Sequence, residues 1–289
     1  MNVLLTGATG YIGKNLLGKL LKEGHEVTII KRKTSKLLKN DKKIKEVIFD
    51  GTYESLEKGI EIKPDVVIHL ATCFLANHAS DKIEDLIDSN ILFGTYLLEY
   101  MAKNSIKYFI NTETYAESLN GKEYNPQNLY SATKMAFKDI LKFYADDSGL
   151  KIISLVLSDT YGPGDTRKKF INLAIEAIKN KNNIFNMSLG EQEICYVYIE
   201  DVVEAYIRAI EILKEIQEKE IRTYSVFGNE IVTLNELVSI VEEVFNYKLN
   251  CNKGFYKYRN REIMKFNYNI DRLLGWSPKV ILKEGIKKL

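Results

Sequence analysis

Metal-ligating side chains are scarce in this sequence, with three cysteines and three histidines in 289 residues. Cys73, Cys195 and Cys251 stand too far apart for a CxxC metal or redox pair, and so few thiols fit a reducing compartment better than a disulfide scaffold. His25, His69 and His78 have no zinc-ligand spacing and no acidic cluster to complete a site. His69 is expected to end a buried strand as a satisfied core residue, the other two to lie in loops. Only four prolines occur, and neither a repeat nor a low-complexity linker divides the chain. No apolar run approaches the ~18 residues that a bilayer span requires, and the chain opens on a strand pattern rather than a signal peptide. An excess of charge of one sign is also missing. The 41 Lys+Arg against 39 Asp+Glu leave a formal net charge of +2, which argues against a general nucleic-acid binder. These absences lead to the expectation of a soluble, cytoplasmic protein without a metal, a membrane or nucleic acid as partner.

What is present is a core. Hydrophobic residues make up 45% of the chain, enough to exclude disorder. Its length suits one large domain or two small ones. Short apolar runs at Asn2–Leu5, Val27–Ile30, Val47–Phe49, Val66–Leu70, Tyr108–Asn111 and Ile152–Leu157 read as strands. Helical periodicity over Tyr11–Lys22, Lys82–Lys103 and Asn128–Tyr144 alternates with them. Strands alternating with helices predict βαβ crossovers and a doubly wound parallel sheet of Rossmann type. After Asp159 the pattern loosens, with helices near Phe170–Lys179, Asp201–Leu213 and Leu234–Phe245. The expected division is 1–158 for the cofactor and catalytic residues, and 159–289 for a smaller, interwoven substrate-binding region that partly returns to the first.

After the first strand comes Thr6-Gly7-Ala8-Thr9-Gly10-Tyr11-Ile12-Gly13. Glycine in such a turn lets the backbone approach a pyrophosphate, which the N-terminus of the following helix then stabilises. Gly13, one turn into the helix, permits close packing on the sheet. At the end of the second strand, where NAD-binding proteins place an acid for the ribose hydroxyls, stand Lys31, Arg32, Lys33, Thr34 and Ser35. A guanidinium can grip a 2′-phosphate with two charge-assisted bonds. NADP(H) is therefore expected, with Arg32 as anchor and Lys31 and Ser35 as helpers. NAD(H) stays open, because residues 31–45 carry eight Lys/Arg against one Asp and can equally form a solvated basic loop.

Tyr130 and Lys134 are four residues apart on a predicted helix and share a face with apolar Phe137, Leu141 and Tyr144. An ammonium beside a phenol is expected to lower the tyrosine pKa toward working pH, which makes Tyr130 a proton donor or acceptor for a carbinol/ketone pair.

The GxxGxxG spacing resembles the extended short-chain dehydrogenase/reductase superfamily of nucleotide-sugar epimerases, dehydratases and reductases. Later motifs fall in that family's order over nearly the whole chain. They are Asp50-Gly51, His69-Leu70-Ala71, Tyr130-x-x-x-Lys134, Tyr161-Gly162-Pro163, Tyr198-Ile199-Glu200-Asp201-Val202-Val203 and Leu274-Gly275-Trp276-Ser277-Pro278. The resemblance implies that Asp50, Gly51, Leu70, Ala71, Thr72 and Leu157 line the cofactor and that Lys134 also holds the nicotinamide ribose. It implies a catalytic Ser/Thr at the end of the fifth strand, here Thr112, with Thr114 as a second candidate. Asn90 is implied as a structural brace, with Gly94 at a close helix crossing. Where dehydratases of this family carry Thr-Asp-Glu, this chain has Thr112-Glu113-Thr114, which disfavours dehydration.

The stretches Asn111–Tyr115 and Asn125–Tyr130 resemble the CDP-abequose and CDP-paratose synthase group, which reduces 4-keto nucleotide sugars for bacterial surface polysaccharides. The resemblance thus implies NADPH-dependent reduction at C4 of a nucleotide-diphosphate sugar, by a homodimer. Substrate contacts would come from Cys73, Thr112, Thr114, Asp159, Lys169 and Arg261. Asp159 replaces a common Asn and would repel a diphosphate unless it bonded backbone amides. A 4-epimerase remains the alternative, and a catalytically silent cofactor sensor is an alternative of another class.

Overall fold

The computed structural model describes residues 1–35, 43–181, 184–216 and 220–289. Strands β1 (Asn2–Thr6), β2 (Glu26–Arg32), β3 (Ile44–Phe49), β4 (Val66–His69), β5 (Tyr108–Thr114) and β6 (Lys151–Leu157) are nearly continuous apolar runs. Such runs suit strands covered on both faces. Beyond them lie β7 (Asp159–Tyr161), β8 (Phe185–Asn186), β9 (Glu193–Tyr198), β10 (Ile221–Val226), β11 (Ile231–Thr233) and β12 (Cys251–Asn252). Among the described residues, seven strands form one parallel sheet in the order β10-β6-β5-β4-β1-β2-β3. The order reverses between β1 and β4, and ligands of such sheets bind in the crevice at that switch point, beyond the carboxyl ends of the strands.

Helices cover both faces. On one side α1 (Tyr11–Lys22) packs with α7 (Ile199–Ile212) over Leu5, Ile29, Ile68 and Ile110. On the other lie α2 (Tyr53–Gly59), α4 (Phe93–Lys103) and α5 (Leu129–Ser148), over Leu4, Val67 and Phe109. The helix expected over 82–103 begins with a 3-10 turn and α3 (Ile83–Ile87), then passes through a π turn at Asp88–Leu92 into α4. Its buried stripe runs through Leu86, Asn90, Gly94 and Leu97, while Ile83 and Ile87 are exposed. A Cβ on Gly94 would stand 2.5 Å from ring carbons of Phe137, so this glycine lets α4 cross close to α5.

The remaining elements are α6 (Phe170–Lys179), α8 (Leu234–Phe245), α9 (Leu282–Lys287) and two small sheets, β11-β9-β7 and β12-β8. Two late motifs meet here as a clasp. The Asp201 carboxylate accepts the Lys279 and Val280 amides at 3.0 Å, and Trp276 Nε1 donates to the Asp201 carbonyl. Helix α2 and the extension of β5 by three residues to Thr114 escaped the sequence reading, which expected a late segment to return to the first region without identifying it as β10, the strand that joins the edge of the main sheet. Among the described residues no helix is long and apolar enough to cross a membrane.

Candidate active site

The turn after β1 is built by close packing. Gly7 has φ +71°, and a Cβ there would stand 2.7 Å from the Ala71 amide nitrogen. A Cβ on Gly13 would stand 2.1 Å from the Gly7 carbonyl oxygen, so only glycine lets α1 seat against the turn. Gly10 precedes α1 without a side-chain cap, which leaves the first helical amides for an anion. Thr9 and Ile12 are half-buried around it. The ring of Tyr11 lies 4.6 Å beneath the Arg167 guanidinium, which itself grips Asp165 with two 2.7 Å bonds. Arg167 is thereby locked onto its own loop.

The loop after β4 is fastened from two sides. Thr6 Oγ1 accepts the amides of Leu70 and Ala71 at 3.2 and 3.1 Å and lies 2.9 Å from His69 Nδ1. Its single proton therefore goes to Nδ1, so the other ring nitrogen carries the hydrogen. His69 Nε2 is buried among Phe93, Phe109 and Phe137 without a hydrogen-bond partner among the described residues, so His69 is only half satisfied there. Burial, with the Lys134 charge, lowers its pKa to about 3. On the other side Asn90 uses its whole amide. Oδ1 accepts from Thr72 and the Cys73 amide, and Nδ2 donates to the Cys73 carbonyl and Thr133. The π turn places this brace between the loop and α5, a common location for such turns at functional sites.

Asn128 caps α5, and Tyr130 and Lys134 then lie buried on its inner face. The Thr72 hydroxyl lies close enough to act on Tyr130, and the exposed Phe74 meets its ring edge-on at 4.9 Å. The expected lowering of the Tyr130 pKa is not what the structure gives. Burial and the Glu117 charge push it above the ordinary phenol value, and burial pushes Lys134 down while Glu117 and Glu113 pull it back up. Desolvation and the Glu117 charge thus favour the neutral phenol at Tyr130.

Thr112 Oγ1 lies 2.7 Å from the hydroxyl of Tyr206, a wholly buried residue of α7. Thr114 instead caps the following turn. Its hydroxyl accepts the Ala116 amide, and its own amide donates to Glu117 Oε1 at 2.9 Å. Leu157 stands opposite Thr114 at the end of β6.

At the end of β2 the basic cluster divides. Lys31 is nearly buried and its Nζ sits 2.9 Å from Glu46 Oε2 on β3, so it is not the free helper the sequence suggested. Arg32 is exposed and close enough to Cys73 for its charge to act on that thiol. Ser35 closes a turn on the Arg32 carbonyl. The basic residues 36–42 lie outside those described. Asp50 accepts from the Thr52 amide and hydroxyl, which keeps its carboxyl below the usual range, and Gly51 follows at φ +105°.

On the substrate side Asp159 bonds side chains rather than backbone amides. Its carboxylate takes Lys169 Nζ at 2.5 Å and the Tyr115 hydroxyl at 2.6 Å. Burial opposes its charge, but Lys169 and Tyr115 hold it below the usual range. Arg261 donates to the Pro126 carbonyl and to Asn125, beside a cavity of about 210 Å³ lined also by Asn77, Asn128 and Arg259. Tyr206, Glu117 and Lys138, four residues beyond Lys134, were missed by sequence reasoning. Glu117 left a local signal, the Thr-x-x-Glu capping box, and Lys138 left another in its four-residue spacing from Lys134.

A glycine cradle at a switch point, an uncapped helix start and a buried Tyr/Lys face fit a nicotinamide dinucleotide and define a Rossmann-type oxidoreductase. The chain belongs to the NAD dependent epimerase/dehydratase family, whose sequence pattern matches residues 3–226. It is 30% identical to CDP-abequose synthase of Yersinia pseudotuberculosis, over 99% of this chain and 98% of that one. The corresponding Salmonella muenchen protein is 29% identical over 99% and 96%. The fold matches UDP-glucuronic acid 4-epimerase from Bacillus cereus, solved with UDP-4-deoxy-4-fluoro-glucuronic acid and NAD. The TM-score is 0.86 at 22% identity, over 100% of this chain and 97% of that one.

Proposed function

We propose that the protein reduces the C4 ketone of a nucleotide-linked 6-deoxy or dideoxy sugar with NADPH. The observation that carries this reading is the buried Tyr130–Lys134 face of α5, in a chain similar along its whole length to CDP-abequose synthases. Bound NADPH supplies the hydride. As the electron pair of the C=O bond moves to oxygen, the Tyr130 hydroxyl gives its proton to that oxygen. Lys134 offers a cation to the resulting phenolate and a donor to the cofactor ribose. Thr112, oriented by Tyr206, hydrogen-bonds the reacting oxygen. Arg32 takes the 2′-phosphate, while Lys169 and Arg261 lie on the diphosphate side. In this reading residues 1–158 serve the cofactor and 159–289 mainly the substrate. Exposed Ile83, Ile87, Leu92 and Phe143 suit a homodimer through the long helices.

The test is to supply CDP- and dTDP-linked 4-keto-6-deoxy sugars with NADPH. Equimolar loss of NADPH and ketone is expected, and Tyr130→Phe should lower kcat about 100-fold or more. A variant that keeps most of its turnover overturns the assignment of Tyr130. The pairing of Lys31 with Glu46 favours a second reading, a 4-epimerase using NAD, because it removes one cation from the 2′-phosphate site. Isomerisation of a nucleotide sugar without net loss of NADPH would establish it.

A further inference from the structure

Two buried acids lie behind the Tyr130–Lys134 face and have no part in hydride transfer as described. Glu113 and Glu117 are 3% and 5% exposed, and carboxylates so buried need partners. Glu113 points toward α5. Its Oε2 lies 3.1 Å from Lys138 Nζ, and its Oε1 is 3.4 Å from Asn111 Nδ2. Glu117 is held by the capping box, its Oε1 accepting the Thr114 amide. Tyr130, Lys134 and Lys138 recur at every fourth position of α5, so they form one stripe. That stripe passes from the buried tyrosine, over the two acids, to a lysine whose side chain is 44% exposed. The groups acting on Glu117 are therefore Glu113 from β5 and Lys134 and Lys138 from α5. Glu117 in turn acts on Tyr130, Lys134 and Lys138. Asp159 also acts on Tyr130, and Tyr124 on Lys138.

Two carboxylates in one buried site resist ionising together. We propose that Glu113 and Glu117 form a buried acidic pair beneath the Tyr130–Lys134 face, reached from solvent at Lys138. Glu117 is the positioning residue that sets the alkaline limit of proton transfer at Tyr130. While Glu117 holds its proton, the pair carries one negative charge to balance Lys134. When Glu117 loses that proton, the second charge works against a phenolate at Tyr130. Burial and the Glu113 charge push the Glu117 carboxyl up to about 8, so this loss falls just above neutral pH. The inference rests on the reading of Tyr130 and Lys134 as the proton-transfer pair, but its first test needs no substrate.

That test is a carboxyl ¹³C NMR titration of the whole chain with labelled glutamate, in the parent, Glu117→Gln and Glu113→Gln. Gln at 117 keeps an acceptor for the Thr114 amide, so the cap survives. A glutamate titrating near 8 is expected in the parent, absent from Glu117→Gln, and moved down by about one pH unit or more in Glu113→Gln. Titration of Glu117 in the ordinary carboxyl range, or no response to Glu113→Gln, overturns the pair. The second measurement is the pH profile of kcat. Its alkaline limb should rise to higher pH in Glu117→Gln and fall to lower pH in Glu113→Gln. Unchanged profiles, with only thermal stability altered, would overturn the positioning role. Absence of turnover with every 4-keto sugar would instead count against the proposed reaction and leave the titration to judge the pair.

Discussion

Lys31 Nζ lies 2.9 Å from Glu46 Oε2, so at the basic end of β2 Lys31 is paired across to β3 while Arg32 is exposed. Arg32→Ala should therefore weaken NADPH binding at least tenfold more than NADH binding, about 1.4 kcal/mol of selectivity. Lys31→Ala should change that ratio less than about threefold, and lower stability by about 1–3 kcal/mol through the loss of a partly buried pair. Paired dissociation constants on nucleotide-free protein decide the matter. Equal losses of both cofactors in Arg32→Ala would remove the 2′-phosphate site.

Asn90 makes four hydrogen bonds between the loop after β4 and α5. Asn90→Ala leaves their buried partners unsatisfied and should cost about 2–4 kcal/mol in denaturant unfolding. Because Thr72 contacts both Asn90 and Tyr130, kcat should fall further than NADPH affinity. If stability falls and kcat does not, Asn90 is a brace with no influence on the site.

His69 gives the acid limit of stability a defined origin. Its pKa is about 3 in the folded chain against an ordinary 6.5, so it is neutral when folded and charged when unfolded between those values. The unfolded state then binds the extra proton, and stability falls as pH drops from 6.5 toward 3. In His69→Gln the slope of unfolding free energy against pH should be shallower over that window by up to ~1.4 kcal/mol per pH unit. Parallel slopes in the two proteins would place the acid sensitivity elsewhere.

The boundaries of α1, α6 and α8 coincide with their sequence reading, and the parallel sheet followed from alternating apolar runs and helices. These are local features, in which one element's period determines its own buried face. Helix α2 was missed because its seven residues bury only Leu56, too little for a period to show. β10 was missed because only pairing with β6 makes an edge segment a strand of the sheet.

The site divides in the same way. The glycine turn and the Tyr130–Lys134 face were determined by the sequence alone, since each lies within one turn or one helix, where spacing sets direction. Tertiary structure decided what those groups can do. Lys31 loses its free charge to a neighbouring strand, and Thr112 finds Tyr206 94 positions away. Asp159 is neutralised by Lys169, while Glu113 and Glu117 gather under α5. Burial favours the neutral form of the phenol that spacing alone made acidic. A side chain's charge depends on which polar groups and how much water surround it, and those neighbours come from elsewhere in the chain.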